Sequence, residues 1–302
     1  MAISSTVPKS KIRESASDRV LIFAIYVILS LVLVAVLYPL IYIVSSSISS
    51  PAAVVSGKVW LWPVDISFLG FQTILKTPLI MTGYGNSLLY MSVGTIISVT
   101  LTVMLAYPLS RKTFFGRKGI LMLVMFTMLF SGGLIPTYLV VKEMGMIDSR
   151  LALLIPNAIW VWQVIIARSF FQSTIPSELV EASEIDGCSD WRFLGSVVIP
   201  LSKPILAVLV LMYAVGQWNS YFDALIYLKS DKLFPLQLVL RSIIIQNNSA
   251  GAMDLNVQIQ RAQLAELLKY SLIVVATLPV LIIYPFVQRY FVQGMLVGSV
   301  KG

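Results

Sequence analysis

Histidine is absent from this 302-residue chain, and cysteine occurs once, as Cys188. A single cysteine excludes an internal disulfide, and the common metal sites, which draw on several histidines and cysteines, are not expected. Charged residues make up only 12% of the chain, whereas an average soluble domain carries about 25%. Because hydrophobic residues make up 58%, the composition is that of an integral membrane protein.

The residues of common energy-converting and hydrolytic sites are also missing. A phosphate-binding loop is absent, because the Gly57-Lys58 pair lacks the upstream glycine pattern and is followed by valine. Asp223 is the only carboxylate clearly within or at the end of an apolar run, so no aspartate pair is available for intramembrane proteolysis. We expect a non-enzymatic chain that itself holds no catalytic residue, cofactor or metal.

The apolar runs predict an all-α integral membrane protein with six transmembrane helices. Each run is about long enough to cross a hydrocarbon core of ~30 Å as a helix. The first follows a polar arm, residues 1–19, and is too long for the core of a signal peptide, so we expect it to be retained. The predicted spans are Val20–Val44, Asn86–Ser110, Gly119–Val141, Leu151–Ala167, Ile205–Tyr227 and Tyr270–Gln288.

Lysine and arginine predict the orientation of these spans, since cytoplasmic loops carry an excess of both. The N-terminal arm and the connection between the second and third spans carry eight, against four in all outer loops before the fifth. We therefore expect the arm (1–19) and the tail (291–302) in the cytoplasm, with the membrane domain (20–290) in the plasma membrane. This topology, rather than nucleic acid, explains the net charge of +8.

Two outer segments, residues 45–85 and 229–269, are too long to be simple turns. In the first, a serine-rich start followed by Trp60 and Trp62 indicates a re-entrant or interfacial excursion, with both indoles at headgroup depth. In the second, Gln258–Lys269 has the pattern of an amphipathic helix that leads into the last span. Such surfaces suit an extracellular partner, or equally packing on the outer rim of the protein itself.

Polar and small residues inside the runs carry further expectations. Asn86 and Ser87 are expected to cap the start of the second span. Gly132, Gly133 and Pro136 interrupt the third run, which indicates either a bend or cavity, or close helix packing through the glycines.

A polar hairpin, residues 173–203, separates the fourth and fifth runs. Ser177 is placed to cap a short helix that begins with acids, which suits the helix dipole. Gly187 permits a turn at positive φ, after which a second short segment follows. We expect this hairpin to contact a partner, although a solvated connecting loop is the plainer alternative. Its five acids are Glu178, Glu181, Glu184, Asp186 and Asp190.

The spacing in this hairpin resembles the EAA loop of ABC importer permeases, whose pattern is roughly E-A-A-x-x-D-G-A, eight residues, then I-x-L-P. Four positions depart from the pattern, but all stay small or aliphatic. Outside the loop, 131–141, 218–228 and 288–302 resemble the oligosaccharide and polysaccharide permeases of Gram-positive bacteria, a branch related to the maltose permeases. The matching residues in the loop are Glu181, Ala182, Ser183, Asp186, Gly187, Cys188, Val197, Ile199 and Pro200.

This resemblance implies a type I ABC importer permease fold with six transmembrane helices and a cytoplasmic coupling helix. Glu181, Asp186 and Gly187 would form the centre of a contact with a cytosolic ATPase, with Ala182 and Cys188 packed into its groove. The resemblance further implies a heterodimer with a homologous second permease, two ATPase subunits that bind ATP and magnesium, and an extracellular lipid-anchored sugar-binding protein. ATP would close the ATPase dimer, draw the coupling helices together and turn the sugar path outward.

A sugar path requires polar and aromatic groups inside the spans, where they are costly unless they face a water-filled interior. Amides and flat aromatic rings suit sugars, whose hydroxyls hydrogen-bond and whose C–H faces stack. Interhelical hydrogen bonds or an outer aromatic belt are the alternatives. The densest cluster contains Gln217, Trp218, Asn219, Ser220, Tyr221 and Asp223, and a second contains Trp160, Trp162 and Gln163.

Asp223 has two possible roles at this stage: it accepts hydrogen bonds from sugar hydroxyls, or it pairs with a basic residue of the second permease. The rival to an ATP-driven importer is an ion-gradient-driven secondary transporter. That class commonly shows repeated halves and intramembrane ionisable residues, whereas Asp223 stands nearly alone here. A structural or channel subunit would leave the acid-rich hairpin without a role.

Overall fold

The computed structural model describes residues 15–246 and 255–299, which form fifteen α-helices and no β-strand. Parts of the predicted N-terminal arm, second outer segment and C-terminal tail therefore lie outside the described residues. Three helices are individually long and apolar enough to cross a membrane: α1 (Ala16–Ser47), α4 (Pro78–Ser110) and α15 (Leu255–Ser299). Among the described residues, counting two sharply bent helix pairs as one crossing each raises the number to five.

The remaining helices are shorter, and several are fragments of predicted spans. A π-helical turn (Leu194–Val198) and a 3-10 turn (Asp231–Leu233) lie between them. Their bounds are α2 Pro51–Val55, α3 Leu69–Lys76, α5 Arg117–Leu129, α6 Leu134–Glu143, α7 Leu151–Leu154, α8 Val161–Thr174, α9 Ser177–Ile185, α10 Asp190–Phe193, α11 Ile199–Leu201, α12 Lys203–Trp218, α13 Phe222–Tyr227 and α14 Leu236–Gln246.

The third predicted span is bent, because α5 and α6 meet at 115°. Gly133, between them, has φ +83°, a left-handed conformation that favours glycine. A Cβ added to Gly133 would have no heavy atom within 4 Å, and one added to Gly132 would meet only Pro136 at 3.7 Å. Within the described residues, the bend therefore explains these glycines and close helix packing does not.

The fourth and fifth predicted spans are also interrupted, so a single helix through each run is wrong. Between α7 and α8, Pro156 removes a backbone donor and disfavours helix in the residue before it. Between α12 and α13, the Asn219 side-chain amide donates to the Val215 carbonyl at 2.9 Å. The Asn219 backbone amide donates to the same carbonyl at 3.1 Å, so the side chain adds a second bond at the last turn of α12.

Helix α4 is the central element of the described fold, packed against both α8 and α12. Its buried face includes a row of small side chains four residues apart, Gly94, Ser98, Thr102 and Ala106. Small residues at this spacing let neighbouring helices approach closely. A Cβ at Gly94 would lie 2.8 Å from the side chain of Gln217, so a larger residue there would force that side chain to move.

Asn86 and Ser87 do not cap α4, as the sequence predicts, because α4 begins earlier and both side chains are buried within it. Asn86 Nδ2 donates to the carbonyls of Lys232 at 2.7 Å and Phe234 at 3.1 Å. Ser87 Oγ accepts from the Leu236 amide at 2.8 Å and so satisfies the first turn of α14. The two residues hold the second outer segment on α4.

The first outer segment folds back on the protein. Ser49 Oγ accepts from the Val64 amide at 3.1 Å, and Val59 is buried in an apolar cluster shared with α15. Packing of this segment on the protein itself is thus confirmed for Val59, while its place on the outer side of the membrane stays a prediction. Trp60 and Trp62 are exposed, and their position at headgroup depth stays a prediction.

Asp148 ties the connection between α6 and α7 to the end of α13. Its Oδ1 accepts from the amides of Lys229 and Ser230, both at 2.8 Å, and its Oδ2 accepts from the Ser230 hydroxyl at 2.5 Å. These bonds lower the pKa of the Asp148 carboxyl from its ordinary value of 3.8, and the bond from the Ser230 hydroxyl has the largest effect. Asp148 adopts φ 58°, a left-handed conformation that aspartate tolerates better than most residues.

We expect Asp148→Asn to unfold at a lower temperature than the wild type near neutral pH. A carboxyl with a lowered folded pKa stabilises the fold fully above its ordinary pKa and loses that contribution as the pH falls through the lowered value. The gap between variant and wild type should therefore begin to narrow below about pH 4 and close once the pH is below the lowered pKa. Thermal unfolding in detergent, followed from neutral to acidic pH, measures the difference in unfolding temperature. Asp231→Asn is the control, because Asp231 is an exposed acid of the second outer segment. A pH-independent gap would contradict the assignment.

Candidate functional site

The hairpin that resembles the EAA loop folds as two short helices around a glycine turn. Helix α9 ends before Gly187, which has φ +69°, and the Cys188 amide donates to the Ser183 carbonyl at 2.9 Å. Ser189 then caps α10 by accepting the Arg192 amide at 3.4 Å. The backbone turn that the sequence predicts at Gly187 is confirmed.

Most of the predicted coupling residues lie on the surface of this hairpin. Exposed among them are Glu181, Ala182, Asp186, Gly187 and Pro200. The other two, Ser183 and Cys188, are half-buried. Cys188 packs against the apolar core of its own chain, so it is less open to a partner than Ala182.

Large apolar side chains are exposed on and beside the hairpin. Ile185 and Trp191 lie in the hairpin itself, and Phe115, in the neighbouring connection after α4, is 97% exposed. Exposed apolar surface next to charged groups is typical of a protein contact. Composition did not reveal it, because apolar residues are common throughout this chain.

Arg111 links the hairpin to the end of α4. Its Nη2 lies 2.8 Å from Glu184 Oε1, and its Nη1 lies 3.5 Å from Asp190 Oδ1. Nη1 also donates to the Tyr107 hydroxyl at 2.8 Å. All four residues line a cavity of about 450 Å³ that Trp191 also borders. In the sequence, Arg111 contributes only to the count of cytoplasmic charges, and no local signal indicates its partners.

A second cavity, of about 220 Å³, lies where the fourth and fifth runs are interrupted. The structure brings five of the predicted path residues to it, one from the fourth run and four from the fifth. They are Trp160, Gln217, Asn219, Tyr221 and Asp223.

Asn157 belongs to the same cavity, although the sequence did not single it out. It lies in the break between α7 and α8, and its Nδ2 donates to Asp223 Oδ2 at 2.8 Å. Its position beside Pro156 is a signal for a helix break. Its pairing with Asp223, 66 positions away, is visible only in three dimensions.

Trp160 is fixed by its neighbours at the edge of this cavity. Its indole covers Gly216 so closely that any Cβ there would overlap the ring. Its amide donates to the Tyr213 hydroxyl at 3.1 Å, and that hydroxyl is 2.6 Å from Thr102 Oγ1 on α4. The wall of the cavity is thereby attached to the central helix.

Trp218 and Gln163 do not line this cavity. Trp218 is 1% exposed, and its Nε1 donates to the Ala276 carbonyl at 2.9 Å, as in the alternative of interhelical hydrogen bonding. Its ring also meets Tyr84 edge-on at 5.6 Å. Gln163 is buried in α8, and its Oε1 has no hydrogen-bond partner among the described residues.

Comparison with known proteins extends along most of the chain, although no family model matches it. Protein LplC of Bacillus subtilis (strain 168) is 40% identical over 87% of this chain and 89% of the relative. The polygalacturonan/rhamnogalacturonan transport system permease protein YtcP, from the same organism, is 41% identical over 87% and 92%. A solved chain of a bacterial ABC transporter involved in the import of the acidic polysaccharide alginate aligns with TM-score 0.84 and 36% identity. That alignment covers 93% of this chain and 100% of the solved one.

Replacing Gly187 by valine should loosen the hairpin. A side chain at its positive φ costs about 1–2 kcal/mol, although no neighbouring atom lies within 4 Å of an added Cβ. The rate at which a maleimide labels Cys188 measures this change, and no other thiol contributes because Cys188 is the only cysteine. We expect Cys188 to be labelled faster in the variant than in the wild type.

Gly195→Val is the matched control, since Gly195 also has nothing within 4 Å and its φ is not positive. Equal labelling rates for the two variants and the wild type would contradict the role of the left-handed turn.

Proposed function

We propose a specific role for this chain, which belongs to the sugar permeases of ABC importers. It forms one half of a path for oligosaccharides through the membrane, and its EAA-like hairpin couples that path to a cytosolic ATPase. The observation that carries the proposal is the pairing of an exposed, acid-rich hairpin with a polar cavity built from two interrupted helices. One central helix, α4, contacts both.

The cavity beside Asp223 supports a sugar site. Backbone that leaves helical geometry at membrane depth is tolerated where it lines a cavity. Here two such breaks face each other across amide, carboxylate and aromatic side chains. Asp223 accepts a hydrogen bond from Asn157, and it makes no salt bridge within the described chain. We assign it to the hydroxyl edge of the sugar rather than to a cationic group of its own chain.

The named substrates of the relatives support an acidic oligosaccharide as cargo. The YtcP relative is named for polygalacturonan and rhamnogalacturonan, and the solved chain belongs to an importer of alginate. The cavity volume of about 220 Å³ is small for a whole oligosaccharide, which fits a chain that supplies only one wall of the path.

Membership of this family supports a set of partners for the chain. We propose a heterodimer with a second permease, two ATPase subunits that bind ATP and magnesium, and a lipid-anchored extracellular binding protein that delivers the sugar. We also propose six crossings, with both termini in the cytoplasm of a bacterial cell. Helix α1 supports contact with lipid or another subunit, because its apolar side chains are exposed along most of its length.

Purification from native membranes tests the assembly. A tagged chain should bring down a second multi-spanning chain and an ATP-hydrolysing chain, and the complex should take up acidic oligosaccharides in proteoliposomes only with ATP inside. Uptake driven by an ion gradient, without an ATPase in the complex, would instead favour the secondary transporter.

Substitutions in the cavity test the path. A lost hydrogen bond is worth about 1 kcal/mol, so Asp223→Ala and Asn157→Ala should each lower oligogalacturonate uptake by about five-fold. Asp223→Asn keeps an acceptor and should transport nearly normally. Asp231→Ala, which removes an exposed acid outside the cavity, is the control.

Failed assembly of Asp223→Asn would point to an ion pair with the second permease. Normal uptake by both alanine variants would remove this cavity from the path.

A further inference from the structure

We propose that Arg111 is a positioning residue for coupling, which holds both arms of the hairpin on the inner end of α4 so that they move as one body. The inference rests on the proposed function, because it assigns a role to Arg111 within the contact between hairpin and ATPase. Arg111 lies outside the EAA-like pattern, and its assigned partners are Glu184 and Asp190 rather than Glu181.

The positions of the two carboxylates show why one cation is needed. Glu184 lies on α9 and Asp190 begins α10, so the pair straddles the Gly187 turn. Two carboxylates held on adjacent arms repel each other, and a guanidinium between them removes the repulsion. Arginine suits this position because its planar group offers several donors in a fixed geometry, whereas lysine is a single flexible point charge.

The exposed fractions show which side of the contact is anchored. The Arg111 side chain is 15% exposed, while those of Glu184 and Asp190 are 61% and 82% exposed. The Arg111 guanidinium also donates a hydrogen bond to the hydroxyl of Tyr107, which lies one turn earlier on α4. Arg111 is therefore part of the inner end of α4, and the acids reach it from the hairpin.

Helix α4 connects this anchor to the sugar cavity. From Arg111 back to Gly94 the helix covers about 25 Å. Gly94 is in contact with Gln217, which lines the cavity. A displacement of the hairpin that is transmitted to α4 thus reaches the cavity wall through continuous packing, without a flexible loop between them.

The competing explanation is that Arg111 serves only as a cytoplasmic charge that orients the protein in the membrane. Lys112 provides the matched comparison, because it carries the same charge one position later, is exposed, and makes no salt bridge within the described residues. Orientation depends on the sum of charges, whereas coupling depends on the contacts of one side chain.

The test compares Arg111→Gln, Arg111→Lys and Lys112→Gln in the reconstituted complex, with each rate normalised to inserted protein. The readout is oligosaccharide taken up per ATP hydrolysed. We expect Arg111→Gln to lower this ratio by about five-fold, at the low end of typical coupling effects, while ATP hydrolysis continues. Arg111→Lys should recover part of the loss, and Lys112→Gln should match the wild type.

A double variant with the two charges exchanged keeps the test decisive if a single variant fails to insert into the membrane. Arg111→Glu with Glu184→Arg restores the central ion pair and should transport better per ATP than Arg111→Glu alone. Equal ratios for Arg111→Gln and Lys112→Gln, or no recovery by the exchanged pair, would overturn the positioning role.

These outcomes are distinct from failure of the proposed function. If the wild-type chain neither binds an ATPase nor transports sugar with ATP, the function itself is wrong and the positioning role is overturned with it. If the wild type is coupled and Arg111→Gln is equally well coupled, only the role of Arg111 is lost.

Discussion

The close approach of other helices to α4 is the constraint on which the described fold depends. Lipid offers no hydrophobic force that drives apolar helices together, so they associate by packing and by hydrogen bonds between helices. The small residues of α4 at 94, 98, 102 and 106 create the necessary surface. The Thr102 and Tyr213 hydroxyls, 2.6 Å apart, add a polar contact in a buried position. Helix α8 can then begin late, at Val161, and helix α12 can end early, at Trp218, because both pack against α4.

The helix breaks become acceptable because other parts of the protein cover them. An interrupted helix in lipid would expose unpaired backbone groups, each costing several kcal/mol. Here the Ser220 amide donates to the Gln217 carbonyl at the end of α12 at 3.2 Å, and the Trp160 ring covers Gly216. The two helix breaks, between α7 and α8 and between α12 and α13, thereby form a polar cavity. In an isolated span the same breaks would be destabilising. The same covering of the break keeps Asn157 and Asp223 facing each other.

The two ends of α4 are organised by different interactions. At the end near Asn86, neutral amide and hydroxyl groups of Asn86 and Ser87 bind the segment that includes Lys232, Phe234 and Leu236, and both side chains are buried. At the opposite end, Arg111 meets exposed carboxylates, where water screens the charges and weakens each pair. The first contact holds its segment in place, whereas the second is limited to the side chains of Arg111, Glu184 and Asp190. This difference suits the coupling role that we propose for the Arg111 end of α4.

The sequence alone determined the membrane class, the approximate positions of α1, α4 and α15, the glycine turn of the hairpin and the family. These depend on composition, on runs of apolar residues and on spacing within about 20 residues, which are local properties. Tertiary structure decided which polar residues meet. Trp218 donates a hydrogen bond to α15, and Asn157 donates one to Asp223. Asn86 donates to a carbonyl 146 positions away. A helix that is apolar on all sides gives no periodic signal of which face is buried. The direction of each polar side chain was therefore set by the neighbouring helices that packing placed beside it.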